Sequence, residues 1–274
     1  MHRVAICAPS TPFTREDAAR VSALAVAEFP GIALSFHEQC FAQECHFAGS
    51  DAVRLGALLD CANDPASDAV WFVRGGYGAN RIAAEAIAGM GPAARTKTYL
   101  GYSDAGTLLA ALYRSGIGFP VHAPMPTDIR RDGGEAAVRR VLGWMVGCSD
   151  GVEPSLARHQ PAAAFNLMTL AMLVGTDLMP DLAGHVVMVE EVAEHLYAVD
   201  RLLFHVTHHL APMGIAGLRL GRVSGVPDND RPFGSEPEDI ARYWCERVGI
   251  RYLGIADIGH DIHNKIVPFG PRED

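Results

Sequence analysis

Basic residues are scarce in this chain of 274 residues: 23 Lys and Arg stand against 32 Asp and Glu, a formal net charge of −9. Binding to phosphate backbones needs a basic face, so a nucleic-acid partner is not expected. No apolar run reaches membrane-spanning length, which argues against a membrane partner. Met1-His2-Arg3 leads directly into Val4-Ala5-Ile6-Cys7-Ala8-Pro9, too short and too abruptly ended for the apolar region of a secretory signal. None of the six cysteines, Cys7, Cys40, Cys45, Cys61, Cys148 and Cys245, forms a C-x-x-C pair. They read as reduced, mostly buried thiols, which fits a cytoplasmic location. There is no H-E-x-x-H. His205 and His209 have i, i+4 spacing with His208 beside them, but no third ligand is evident, so a zinc site is not expected. Charged residues at 20 % are too few for a disordered chain or a coiled coil.

What is present is a core and an alternation. Hydrophobic residues make up 49 % of the chain, enough for one large domain or two modest ones. Short apolar strands at 4–7, 32–36 and 68–73 alternate with helical patterns at 14–28, 49–62 and about 82–88. Such alternation predicts an α/β fold with a parallel sheet covered on both faces. A strand leading to Ser103, a helix through Leu108 to Tyr113, a strand within 116–126 and a helix over 135–146 continue it. Residues 147–161 are polar and broken by Gly and Pro, predicting a linker between a domain over 1–146 and a second over 162–274. There the pattern predicts a helix over 166–174, a strand at 185–189, a helix over 199–210, a strand at 218–223 and a helix over 237–248. A closing apolar segment follows at 250–253. The methionines of the 166–174 helix read as core packing rather than a cofactor site.

The stretch Thr98-Tyr-Leu-Gly-Tyr-Ser103-Asp-Ala-Gly-Thr-Leu-Leu-Ala-Ala-Leu-Tyr113 organises the chain. It reads as strand, sharp turn and helix, with the Ser103 hydroxyl at the tip and Gly101, Ala105 and Gly106 small enough for close packing. The helix N-terminus and the amide of Asp104 favour negative charge there, as an acyl-transfer oxyanion requires. Taken alone, Ser103-Asp104 reads first as the cap of an ordinary helix, because many α/β turns look like G-x-S-D. One βα unit earlier, Arg74-Gly75-Gly76-Tyr77-Gly78 ends a strand. It lacks G-x-G-x-x-G spacing and a Walker lysine, so a nucleotide cofactor is not expected. Two such loops on neighbouring strand ends mark the usual ligand position of an α/β sheet.

Serine hydrolysis needs a nucleophile, a base and an acid that orients the base. Ser103, Glu190 and His260 supply these types, each where a strand gives way to a loop. Glu191 and Glu194 compete as the acid, His122 and His263 as the base, and spacing leaves the choice open. The motifs are more specific together. Ala8-Pro9-Ser10, Phe47-Ala48-Gly49-Ser50 with Arg54-Leu55, and Val73 through Arg81 are followed by Gly101-Tyr102-Ser103-Asp104. Then come Glu190-Glu191-Val192-Ala193-Glu194 through Tyr197 to Asp200-Arg201, and Gly259-His260 with Pro268-Phe269-Gly270. In this order and over nearly the whole chain they resemble the LD-carboxypeptidase (muramoyltetrapeptide carboxypeptidase) family, whose relatives include microcin C immunity peptidases. Two elements depart from the family pattern. Ala163-Ala164-Phe165-Asn166 keeps only the Asn of a G-G-N element, and His122-Ala123-Pro124-Met125 replaces a G-P-M.

The resemblance implies an N-terminal parallel-sheet domain like that of class I glutamine amidotransferases, a C-terminal α/β domain, and an active site in the cleft between them. It implies Ser103 as nucleophile, Glu190 as acid and His260 as base. The oxyanion hole would be the amides of Asp104 and Gly76. Arg74, Gly75 and Tyr77 are the candidate substrate contacts, with Arg74 suited either to a substrate carboxylate or to a structural ion pair. No metal or other cofactor is implied. The implied function is a cytoplasmic, homodimeric serine carboxypeptidase that releases terminal D-alanine from murein tetrapeptides in peptidoglycan recycling. Two alternatives stand beside it: the same chemistry on a microcin C-type peptidyl-nucleotide, and a non-catalytic small-molecule binder in which Ser103 lies far from any base.

Overall fold

Residues 1–271 are described by a computed structural model. The apolar segments at the start of the chain become the strands of one sheet because each is too short to bury itself any other way. β1 (His2–Cys7), β2 (Ile32–Phe36), β3 (Ala69–Phe72), β4 (Thr98–Gly101) and β5 (Phe119–His122) are all parallel. The helices α1 (Arg15–Glu28), α2 (Asp51–Asn63), α3 (Ala83–Gly89) and α4 (Gly106–Ser115) connect them, and α5 (Glu135–Met145) follows β5. β3 is central and fully buried, with Trp71 and Phe72 on its two faces, as expected for a parallel strand covered on both sides. Local chemistry sets the helix ends. The Thr14 side chain accepts from the Asp17 amide at the start of α1, and α4 stops at Gly116 in the left-handed region.

The spatial order is β2-β1-β3-β4-β5, so the winding reverses between β1 and β3. At such a reversal the loops after neighbouring strands diverge and open a crevice. The loops after β1, β3 and β4 therefore surround one site. Arg54, fully buried on α2, ties two of them together, donating to the carbonyl of Pro9 and to that of Gly78 at 2.8 Å while also pairing with Asp51. Arg54→Met leaves two buried carbonyls without a donor. We expect it to lower stability by roughly 3 kcal/mol, readable as a fall in the urea midpoint.

The second half of the chain forms a separate four-stranded sheet in the order β6-β7-β8-β9, also parallel. Its elements are β6 (Ala162–Asn166), α6 (Leu167–Leu173), β7 (Val186–Val192), α7 (Leu196–Met213), β8 (Gly217–Ser224), α8 (Pro237–Val248) and β9 (Tyr252–Ile255). β6 departs from the sequence pattern, because Ala-Ala-Ala-Phe-Asn has neither alternation nor β-branched residues. Burial of all five residues between neighbouring elements makes it a strand. β10 (Val267–Pro268) returns to the first sheet and pairs antiparallel with β5, Val267 opposite His122. One apolar cluster runs from Phe72 and Leu108 through Leu167 and Leu170 to Val187 and Leu218, so the two sheets share a core. The 147–161 segment is stitched into this arrangement. Val152 bridges to Ile266, and buried Glu153 accepts from the Ser155 and Asp257 amides.

Candidate active site

Ser103 opens the Ser103–Ala105 turn between β4 and α4 with φ 60, a left-handed conformation that a residue with a Cβ adopts only when its surroundings impose it. Those surroundings are well defined. The Asp104 carboxylate accepts from Ser10 Oγ at 2.5 Å and from the Ala79 amide at 2.9 Å, joining the turn to the loops after β1 and β3. Thr11 Oγ1 donates to the carbonyl of Gly75 at 2.6 Å. A Cβ placed on Gly75 would lie 2.9 Å from both Cβ and Oγ of Ser103 and 3.4 Å from the Asp104 amide nitrogen. Only glycine permits that approach. Gly76 follows with φ 104, again outside the range of ordinary side chains. Gly75→Ala is expected to displace the Ser103 hydroxyl and lower kcat by about 10²-fold or more. A thermal melt close to that of the native chain would separate this from unfolding.

The Ser103 hydroxyl donates to Nε2 of His260 at 3.0 Å, and Nδ1–H of His260 donates to Oε2 of Glu190 at 2.6 Å. Ser103 therefore lies within reach of a base, although the partners come from opposite halves of the chain. Glu190 is fully buried on β7. Gly221 on β8 makes room for it: a Cβ there would come within 2.9 Å of Glu190 Cβ. The sequence pattern ended the strand at 189, whereas β7 runs on through Val192 and carries both carboxylates. Adjacent strand residues face opposite ways. Glu190 meets His260, while Glu191 accepts from Asn166 Nδ2 at 2.7 Å, the Met168 amide at 2.8 Å and the Val192 amide at 2.9 Å. Burial pushes the Glu191 carboxyl up despite those donors. Burial alone would push the His260 imidazolium down, but the charge and hydrogen bond of Glu190 outweigh it and leave the net shift upward.

The other candidates sit elsewhere. His122 is buried on β5, bonded through Nε2 to Asn264 Oδ1 at 3.0 Å and pushed down to about 4 by burial. His263 lies outside the Ser103–His260–Glu190 chain, its amide bonded to Asp261. His205, His208 and His209 lie along α7, and no group of three His, Cys, Asp or Glu among the described residues could hold a metal. Arg74 and Gly75 line a cavity on the His260 side of Ser103, and Tyr77 lines a second cavity on its far side. Met168 and Met172 also line that second cavity, with Met172 exposed at 60 %. The methionines of α6 are thus partly cleft wall and not simply core.

Several positioning groups carried no sequence signal of their own. The Tyr102 ring lies 4.8 Å from the His260 ring, and its hydroxyl donates to Asp128 at 2.9 Å. Asn264 accepts from the Gly259 amide as well as bonding His122, which pins the His260 loop to the first sheet. Thr169 on α6 donates to the carbonyl of Ser103 at 3.3 Å, and Asn166 caps α6 while holding Glu191. Two of them stand within sequence motifs, Tyr102 beside Ser103 and Asn166 as the residue left from the G-G-N element, but neither motif shows what its side chain holds.

Comparison with known proteins agrees with this architecture. Residues 4–123 match the family described as LD-carboxypeptidase N-terminal domain, and residues 163–273 match the LD-carboxypeptidase C-terminal domain. A putative carboxypeptidase of Synechocystis is 29 % identical over 86 % of this chain and 80 % of its own length. The murein tetrapeptide carboxypeptidase of Pseudomonas aeruginosa is 24 % identical over 98 % of this chain and 91 % of its own. Among solved structures, the muramoyltetrapeptide carboxypeptidase of Oxalobacter formigenes superposes with a TM-score of 0.79 at 24 % identity, covering 97 % of this chain and 93 % of that one. The microcin C7 self-immunity protein MccF gives 0.80 at 15 % identity, covering 98 % and 91 %.

Proposed function

This chain belongs to the LD-carboxypeptidase family and is a serine-type carboxypeptidase, and from that premise we propose that Ser103, His260 and Glu190 are its catalytic triad. One observation carries the proposal: the continuous hydrogen-bonded series from the Ser103 hydroxyl through His260 to buried Glu190, at the tip of a strained turn. His260 takes the Ser103 proton as Oγ attacks the scissile carbonyl, and Glu190 holds the imidazole in the tautomer that accepts at Nε2. The amides of Asp104 and Gly76 stabilise the oxyanion. Arg74, Gly75 and Tyr77 line the substrate cleft.

The substrate in this reading is a murein tetrapeptide, cleaved at the L,D amide to release terminal D-alanine. The name of the Pseudomonas relative supports it. The reading includes a homodimer acting in the cytoplasm on peptides from peptidoglycan recycling. Incubating the purified chain with free tetrapeptide and with an aspartyl sulfamoyl nucleoside, and assaying D-alanine and free aspartate, tests it directly. D-Alanine release supports the muropeptide assignment. Turnover of the nucleoside alone overturns it in favour of a peptidyl-nucleotide substrate.

A further inference from the structure

Ser103 stands on the divide between two cavities, and charge is distributed unequally across it. One, about 370 Å³, is lined by Arg74, Arg130, Arg131 and a single carboxylate, Asp128, with His260 and Ser103. The other, about 450 Å³, is lined by Ser103 with Tyr77, Asn166, Met172, Glu191 and Glu194. His260 borders only the first. In acyl transfer the base that takes the nucleophile's proton returns it to the leaving amine, so the leaving group lies on the side of the imidazole. The departing residue therefore occupies the arginine cavity, and the residue acylated onto Ser103 occupies the glutamate cavity.

The partners of these charges sharpen the assignment. Arg130 is paired with Asp17, and Arg131 with Asp128. Arg74 donates to the carbonyl of Pro12 at 3.2 Å and has no carboxylate partner among the described residues. Burial, and then the nearby charge of Arg130, work against its protonated form. A partly buried guanidinium beside a second cation is completed by an anion. The residue leaving a carboxypeptidase carries one, its free α-carboxylate. On the other side Glu191 is already saturated by three donors. Glu194, half-buried beyond Ala193 at φ 62, makes no hydrogen bond or ion pair among the described residues. Its carboxylate is left free to pair with a cation in the cavity it lines.

We infer that the cleft is polarised about Ser103: Arg74 takes the carboxylate of the departing residue, and Glu194 takes a side-chain ammonium on the residue that is acylated. The inference rests on the triad reading above. In the step itself the Ser103 Oγ–carbon bond forms and the carbon–nitrogen amide bond breaks. The Ser103 proton passes through His260 Nε2 to the departing amine. Water then cleaves the ester by the same route, restoring the hydroxyl.

Three synthetic tetrapeptides test it in the native chain and in Arg74→Gln and Glu194→Gln. One carries lysine before terminal D-alanine, one carries norleucine in its place, and one carries lysine before D-alaninamide. In the native chain, loss of the ammonium or of the carboxylate should each lower kcat/KM by about 10- to 100-fold, as removal of one charged hydrogen bond does. Glu194→Gln should erase the lysine-to-norleucine ratio and keep the acid-to-amide ratio, and Arg74→Gln should do the reverse. This crossed pattern is one that a general structural defect does not produce. Equal cleavage of all three peptides by the native chain overturns the polarity and leaves the carboxypeptidase reading standing. So does a variant that keeps the ratio assigned to its residue, or one that lowers both ratios together. No cleavage of any peptide overturns both.

Discussion

Ser103→Ala is expected to release D-alanine from a murein tetrapeptide roughly 10⁶-fold more slowly than the native chain, read as kcat. The size follows from the way a triad works as a unit. Without Oγ, His260 has no proton to take and no covalent intermediate forms, so only binding and the oxyanion donors remain. The fold should survive. Alanine fits wherever serine does, and the strain of φ 60 is common to both residues. Among the described residues the hydroxyl donates to His260 alone, whereas the contacts that hold the turn belong to Asp104 and Thr169. An unchanged thermal melt with activity lost would therefore assign the loss to chemistry. Equal release by the two proteins would show that Ser103 is not the nucleophile and remove the mechanism.

Glu190→Gln should lower kcat by roughly 10⁴-fold, the scale seen when a triad carboxylate becomes an amide elsewhere. Gln keeps the shape of the side chain but carries no charge and can turn its NH₂ towards His260. That favours the tautomer with its proton on Nε2, which cannot accept from Ser103. The same substitution has a signature in pH. His260 must be neutral to act as a base, so kcat/KM rises as pH passes through its pKa. In the native chain that limb lies above the ordinary histidine value of 6.5, because Glu190 outweighs burial. With Glu190 neutralised, burial is the dominant remaining influence, and the limb should move to lower pH. A profile that stays in place with full activity would show that Glu190 is not the acid, and Glu191 and Glu194 would be tested next.

The Gly-rich loop and the serine turn were legible in the sequence because each depends on local backbone demands. Three glycines in four residues and a serine between small residues announce tight turns whatever surrounds them. The parallel sheet was legible for a similar reason: strands too apolar for a surface alternate with amphipathic helices. Harder to read were elements whose state is set by neighbours. β6 is built from alanines and becomes a strand through burial. The two-residue β10 is defined by its pairing with β5 across 145 positions of sequence, from His122 to Val267.

By itself, then, the sequence determined the α/β class, the family, the turn that exposes Ser103 and a short set of acids and bases. Residue spacing left the choice among them open and the family resemblance pointed to Glu190 and His260; the tertiary structure is what brings those two into one hydrogen-bonded series with Ser103. The alternation of β7 sends Glu190 and Glu191 to opposite faces, one to His260 and the other to Asn166. The pairing of β10 with β5, with the Asn264–His122 bond beside it, brings the His260 loop across to a serine 157 positions earlier. Spacing along a chain does not encode such meetings, because they depend on how two sheets share one core.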